Sequence, residues 1–486
     1  MNSRLLGIDR GEIDFRKALL FLVILEMVTM AVFLTGDIII IGIFAAIVLT
    51  PVFLFLIPVE PVLTVPFLFI ATGLHFFALI TKREDTWYNL TYFHIAALVT
   101  LMSVFANFLL KRKKTIPSCS LWPPVIVLLS LMAFSLIYTP LFVDGFMDFS
   151  RLIILCIITF SMIMIIDSKW KVKFVMMSYV IIPICVSLAT VYDILTGGEF
   201  YKSQVLKVAT ELGIHVYRST GTFHNPNDLA TFLMVGIIVS FGLLFIKKMN
   251  IFIRTFLIVC ILISSAGLIA TFSRGGWLST FAGCFFLILI HRKWSYMGLF
   301  FGIFGLMFLI MSIKFPEIVL SAFGRFATIF DPSNEASSSS RISLMKTGIS
   351  MWKDNPIFGV GSAGYSYYAI DYMDPNMPRG EVDVILPHTL QIKILAEEGL
   401  AGLTAATWFF FTVLFDGLRV IKTIKDDFLR NSQIILTSLF VAFIVCFTFN
   451  SDMHHNIFWI TIGVMYANSL VSQKMQREEN HLFNAD

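Results

Sequence analysis

Two arginines and one histidine stand out in this chain because of what surrounds them. Arg274 sits in TFSRGGWLST, at a hairpin between two apolar stretches, and a charge at a membrane boundary is a functional candidate by default. The two glycines after it allow a ligand or a neighbouring helix to approach the backbone closely. Arg218 lies in YRSTGTFHNPNDLATF, where Gly221, Asn225, Pro226 and Asn227 mark a tight turn into a helix starting near Asp228. The turn explains everything there except the arginine. A guanidinium is permanently charged and binds phosphate oxygens two at a time, so a pair of them beside a membrane suits a diphosphate on a lipid. The bland alternative for Arg274 is a side chain reaching up to lipid headgroups. His388, in VILPHTLQIKIL, is the one histidine of a long polar stretch. Imidazole titrates near neutral pH and can take a proton from a hydroxyl, although a lone histidine is more often structural.

Other polar groups carry less. Asp452, His454 and His455 in NSDMHHN include two adjacent histidines, which point poorly at one ion, so a polar turn between spans is expected rather than a metal site. Tyr138, Asp144, Asp148 and Arg151 read as a satisfied outer loop. Glu397 and Glu398 either pair with a basic neighbour or assist His388, and the sequence leaves both open. Of the six cysteines, Cys156, Cys185, Cys260, Cys284 and Cys446 lie in apolar segments and Cys119 beside a basic run, so neither a disulfide nor a thiolate metal site is expected.

The elements that must position these residues are membrane helices. The chain has 486 residues, 57% hydrophobic and only 14% charged, whereas soluble domains carry about 25% charged residues. A net charge of +4, without a basic stripe interleaved with aromatics, gives no reason to expect a nucleic-acid partner. The polar start leads into an apolar stretch without a small-residue cleavage site, so no cleaved signal peptide is expected. At about 20 apolar residues per span, the chain divides into about fourteen: 18–35, 38–57, 62–80, 90–110, 123–142, 149–166, 174–195, 227–246, 255–272, 276–290, 296–313, 400–418, 432–449 and 457–472. With the N-terminus inside, the inner connections collect most of the 36 Lys and Arg residues, including the run Lys111 to Lys114 and the group Arg419, Lys422, Lys425 and Arg430. An even count puts both termini in the cytoplasm.

The organisation expected is thus helices 1–11 within 1–313, with an outer loop at 196–226; a large extracytoplasmic loop, 314–399; and three further helices and a cytoplasmic tail in 400–486. In the large loop, Ser337–Ser340 reads as a helix start. Ile342, Met345, Ile349 and Trp352 recur as one apolar stripe, packed on the membrane domain or lying at its interface, and Asp354-Asn355-Pro356 ends that helix. Leu390, Ile394 and Leu395 suggest a second short amphipathic helix, broken at Gly399, which would hold His388 near the outer surface. No internal repeat of the kind many transporters carry is visible.

Four blocks together bear a resemblance. RSTGTFHNPNDLATF at 218–232, TFSRGGWL at 271–278, RISLMKTGISMWKDNPIFGVGSAGY at 341–365 and PHTLQIKILAEEGLAGL at 387–403 resemble, in order, those of the O-antigen ligase and O-antigen polymerase superfamily. The N-terminal half is similar only as a stack of spans. The resemblance implies an all-α, GT-C-like, inverting glycosyltransferase that needs no metal and no other cofactor. It implies that Arg218 and Arg274 hold the pyrophosphate of an undecaprenyl-diphosphate-linked oligosaccharide, that His388 activates the hydroxyl of a glycan or lipid acceptor, and that Arg341 lines the donor or acceptor groove. It implies work at the outer face of the cytoplasmic membrane in surface-polysaccharide synthesis, among membrane lipids, with a flippase and chain-length regulator as partners. About fourteen spans, against roughly twelve common among the ligases, lean towards a polymerase. The competing readings are a solute or anion transporter, and a non-catalytic scaffold of an export complex.

Overall fold

The computed structural model describes residues 16–25, 60–73, 91–111, 117–196, 206–209, 215–314, 336–373 and 386–483. These form helices α1 (16–25), α2 (Thr64–Gly73), α3 (Tyr92–Lys111), α4 (Trp122–Ser135), α5 (Phe142–Ile165) and α6 (Lys169–Leu195). A small antiparallel ribbon follows, β1 (Leu206–Ala209) paired with β2 (His215–Arg218). Then come α7 (Pro226–Leu243), α8 (Ile251–Ala270), α9 (Arg274–His291), α10 (Ser295–Lys314), α11 (Ala336–Asp354), α12 (Gly364–Tyr372), α13 (Leu390–Glu397), α14 (Gly399–Ile421), α15 (Asp427–Cys446) and α16 (Asn456–Phe483). Seven of them, α5 to α9 with α14 and α15, are long and apolar enough to cross a membrane, and the protein is an all-α, multi-pass membrane protein. Shorter apolar helices lie at Pro61–Gly73, Tyr92–Phe108, Trp122–Ser135 and Ser295–Leu306. The expected span 38–57 lies outside the described residues.

Helix α7 is the hub. It is apolar on all sides after its first turn and almost wholly buried, packed against α6, α8, α9 and α15, as expected of a helix with no polar face. The α9–α15 and α5–α16 contacts are the other main seams. Beneath the site, Phe409 stacks on Trp459 with ring centroids 5.4 Å apart, and Phe440 stacks on Phe458 at 5.8 Å. These rings lock α14, α15 and α16 into one rigid floor. Helix starts are closed by side chains where lipid offers no water: Asn225 accepts from Asn227 N, Ser273 from Gly276 N, and Asp426 from Phe428 N and Leu429 N.

The connections fall at two ends. One end gathers the segments 136–141, 219–225, 271–273, 386–389 and 447–455 with α11 to α13. The other holds the basic connections, where Lys169 pairs with Asp426 and Lys171 reaches Glu60 at 3.1 Å and Asp167 at 3.0 Å.

Helix boundaries differ from expectation in one place that matters. Helix α4 stops at Ser135 and α5 begins at Phe142, a full turn and more ahead of the expected 149. Pro140 ends the first, and Asp144 sits favourably in the first turn of the second. The patch read as a loop, Asp144, Asp148 and Arg151, therefore stands on a helix. Within the large loop the described helices end where expected: α11 ends at Asp354, and Gly399 separates α13 from the body of α14. Of the two placements expected for the apolar stripe of α11, packing on the bundle does not hold: the face that α11 buries carries Leu344, Thr347, Gly348 and Met351, while Ile342 is exposed. The short helix α12, unforeseen, supplies the missing partner, with Tyr365 and Ala369 packed on Met351.

The loop is knotted against the bundle by the GVGSAG stretch. Val360 N and Gly361 N donate to the carbonyls of Ala396 (2.9 Å) and Glu397 (2.8 Å), and Leu400 N donates to Pro356 O at 2.9 Å. Gly359 makes this possible. Its φ is +68°, and a Cβ there would stand 2.4 Å from the Glu397 backbone.

Candidate active site

The site is built from three chain segments that meet at one end of the bundle. Arg218 closes β2, and its Nε donates to the Thr271 carbonyl at 2.6 Å while Nη2 donates to Asn227 Oδ1 at 3.0 Å. The next residue repeats the tie, Ser219 N donating to Ala270 O at 3.1 Å. Asn227 Oδ1 also accepts from Ser273 Oγ at 2.8 Å. One amide oxygen thus joins the Arg218 segment, the start of α7 and the cap of α9. Arg274 is the first residue of α9. The turn after it seats tightly because Gly276 has no Cβ: one would fall 2.6 Å from Ala230 Cβ on α7.

These elements border an open cavity whose walls include Arg218, Arg274 and Arg341, with Asn227, Asn450 and the Phe449 ring completing the floor. Arg341 arrives from α11, in the large loop, so loop and bundle share the cavity. No carboxylate lines it among the described residues. The first turns of α7 and α9 both contribute to it, so two helix N-termini add positive potential to three guanidinium groups. A doubly or triply charged anion is the ligand that such a field selects.

His388 stands beside this field. Thr389 Oγ1 donates to Thr448 O at 3.3 Å and Leu390 N to Phe447 O at 3.0 Å, which pins its neighbours to the segment that carries Phe449 and Asn450. Burial, and then the charge of Arg341, pull the His388 pKa down to about 4. The imidazole is therefore neutral at physiological pH and able to accept a proton. Its φ of +52° is left-handed, as is that of Phe272 (+50°), which lines the cavity. Non-glycine residues hold that conformation only where their surroundings over-determine it, and such residues cluster at functional sites.

Arg218, Arg274 and Arg341 are thus brought to one cavity, with His388 within the reach of Arg341. Three participants escaped the sequence reading. Asn227 was read as part of a turn, and Phe449 and Asn450 were given no role, because only the fold brings α15's end to the Arg218 turn. Glu397 and Glu398 are not beside His388: they lie at the far end of α13, where Glu397 Oε1 accepts from Tyr365 N at 3.3 Å and Glu398 Oε1 from Ser362 Oγ at 3.0 Å. Asp452 pairs with His454 at 2.8 Å, and His455 Nε2 meets Asn450 Nδ2 at 2.8 Å.

No curated protein matches the chain. Residues 258–407 match the family model described as O-antigen ligase. That stretch begins in α8, takes in Arg274, Arg341 and His388, and ends in α14, while Arg218 lies ahead of it. Over that stretch the chain is similar to the O-antigen ligase family.

Proposed function

We propose that the protein is a membrane glycosyltransferase that transfers glycan from an undecaprenyl diphosphate carrier to a hydroxyl of an acceptor, at the outer face of the cytoplasmic membrane. The observation that carries this is the cavity walled by three arginines from three separate elements, with a neutral histidine in the field of one of them. In this reading Arg218, Arg274 and Arg341 hold the diphosphate. His388 takes the proton of the acceptor hydroxyl as its oxygen attacks the anomeric carbon. The bond from that carbon to the diphosphate oxygen breaks, its electron pair leaves on the diphosphate, and the configuration inverts. The guanidinium groups offset the charge that develops on the leaving group, the role a metal ion fills in other transferases. Attack by a second lipid-linked unit makes the reaction a polymerisation, slightly favoured by the expected number of spans. Attack by a lipid core makes it a ligation.

The test is the surface polysaccharide of a deletion strain complemented with His388→Ala, Arg218→Ala or Arg274→Ala, each checked for expression. Short or unattached glycan in all three supports the transferase. Single repeat units stranded on lipid identify a polymerase, and full chains stranded on lipid a ligase. Normal glycan from well-expressed variants would move the transporter and scaffold readings ahead.

A further inference from the structure

Five residues beyond His388 lies the most heavily solvated kind of side chain in an unusually dry place. Lys393 Nζ, on α13, is 3.4 Å from Asp148 Oδ2 on α5 and 3.8 Å from Glu397 Oε2, with only 15% of the lysine side chain exposed. Asp148 is also 3.8 Å from Arg151. Asp452 and Glu398 are the remaining acids around Lys393, and His454 lines the same pocket as the lysine. Burial works against the lysine charge, but the four acids together, Glu397 and Asp148 foremost, more than offset it, so Lys393 stays protonated. Burial drives the pKa of Glu397 and Glu398 upward.

Such a cluster is a poor device for mere stability, because desolvating its members costs about as much as their attraction returns, and apolar replacements often do as well. What a buried ion pair adds is direction: it is satisfied in one register and not in its neighbours. Here direction is needed. The inward side of α13 packs Leu390 and Ile394 into the core, and beside them Asp148, Lys393, Glu397, Glu398 and His454 line a small polar pocket. Backbone hydrogen bonds hold the two ends of α13, Leu390 N to Phe447 O and Val360 N to Ala396 O, and the Lys393–Asp148 pair is the side-chain tie between its middle and α5. The N-terminal end of α13 is the His388–Thr389 segment, so any movement of the helix carries the imidazole with it.

We propose that Lys393 and Asp148 form a latch between the large loop and helix α5 that fixes the register of α13 and thereby aims His388 at the arginine-lined cavity. Lys393 and Asp148 are positioning residues, and the inference rests on the reading of His388 as the base. A displaced base with an intact diphosphate site impairs turnover and spares donor binding.

The experiment uses the full-length protein in lipid nanodiscs, with a polyprenyl-diphosphate-linked oligosaccharide as donor and folding followed by thermal denaturation. Lys393→Met is expected to lower kcat by at least about tenfold, since sub-ångström misplacement of a catalytic group has effects of this order, while KM for the donor stays within a factor of about three. Lys393→Arg keeps the pairing and is expected to restore kcat. Asp148→Asn carries the same expectation as Lys393→Met and replaces it if that variant does not fold. Unchanged kcat in a folded Lys393→Met or Asp148→Asn, or a parallel loss of kcat and donor affinity not rescued by arginine, overturns the latch. His388→Ala, assayed alongside, separates the two ideas. If it keeps full turnover, the base assignment fails, and the latch with it; if it is inactive while Lys393→Met is not impaired, the latch alone fails.

Discussion

At the scale of single residues, the cavity sets the protonation behaviour of its neighbour. With a pKa near 4, His388 is a competent base down to mildly acidic pH in the free protein. The acid limb of kcat/KM, which reports the free enzyme, is therefore expected well below the usual histidine value of about 6.5. The sign follows from the cause: burial and a cation both disfavour the imidazolium. Arg341→Gln removes the cation and leaves burial, so the limb moves to higher pH without reaching the unperturbed value. A bound diphosphate acts in the same direction, so the limb of kcat should lie above that of kcat/KM in the wild type. A pH profile of the purified protein from pH 4 to 8 checks this; a limb near 6.5 that Arg341→Gln leaves in place would count against His388 as the base. Arg218, Arg274 and His388 stood out in the sequence because polar groups in an apolar chain are scarce and each sits beside turn residues, and the fold brings the two arginines to one cavity. Asn227 and Lys393 were not legible. Asn227 has the sequence of an ordinary helix start, and its bond to Ser273 spans 46 positions. Lys393 and Asp148 are 245 positions apart, and nothing local in either segment announces the other.

At the scale of elements, the large loop works because its short helices are seated on the bundle by backbone hydrogen bonds rather than by a deep core. Gly359 is the position where this is most sensitive. Gly359→Ala places a side chain in a left-handed residue, at about 1–2 kcal/mol, and drives its Cβ into the Glu397 backbone, which has no flexible atom to yield. The expected outcome is a lower thermal midpoint and loss of activity together, in contrast to Lys393→Met, where turnover falls and the midpoint is largely kept. Thermal unfolding of the two variants in the same detergent makes the comparison. Periodicity located α11 and α13 correctly, and of the two placements expected for the apolar stripe of α11 the structure disfavours only packing on the bundle. Ile342, Met345, Ile349 and Trp352 are the more hydrophobic stripe, yet the face turned inward carries Thr347 and Gly348, because a close approach to Ile392 and Tyr365 selects small residues there. Hydrophobicity marks what avoids water, and at a membrane surface a helix has two apolar neighbours, protein and lipid, that composition does not tell apart.

For the whole molecule, the arrangement of charge argues for one orientation in the membrane. The end with the arginine-lined cavity mixes Asp144, Asp148, Glu397, Glu398 and Asp452 with Arg151, Arg218, Arg274, Arg341 and Lys393, whereas Lys169, Lys171, Lys173, Lys247, Lys248, Arg254, Arg292, Lys293, Arg419 and Lys422 lie in or beside the connections at the other end. Short connections rich in lysine and arginine remain in the cytoplasm, which supports the proposed orientation, with the cavity outward, where a carrier lipid with its glycan already translocated would meet it. Single cysteines distinguish the two orientations in a background with Cys119→Ser, since the other native thiols lie within helices α5, α6, α8, α9 and α15. A membrane-impermeant maleimide added to intact spheroplasts is expected to label Asn355→Cys, on the loop between α11 and α12, and to label Lys248→Cys, between α7 and α8, only after permeabilisation. The reverse pattern would put the cavity in the cytoplasm. A transferase using translocated carrier would then be untenable, however well its arginines suit a diphosphate.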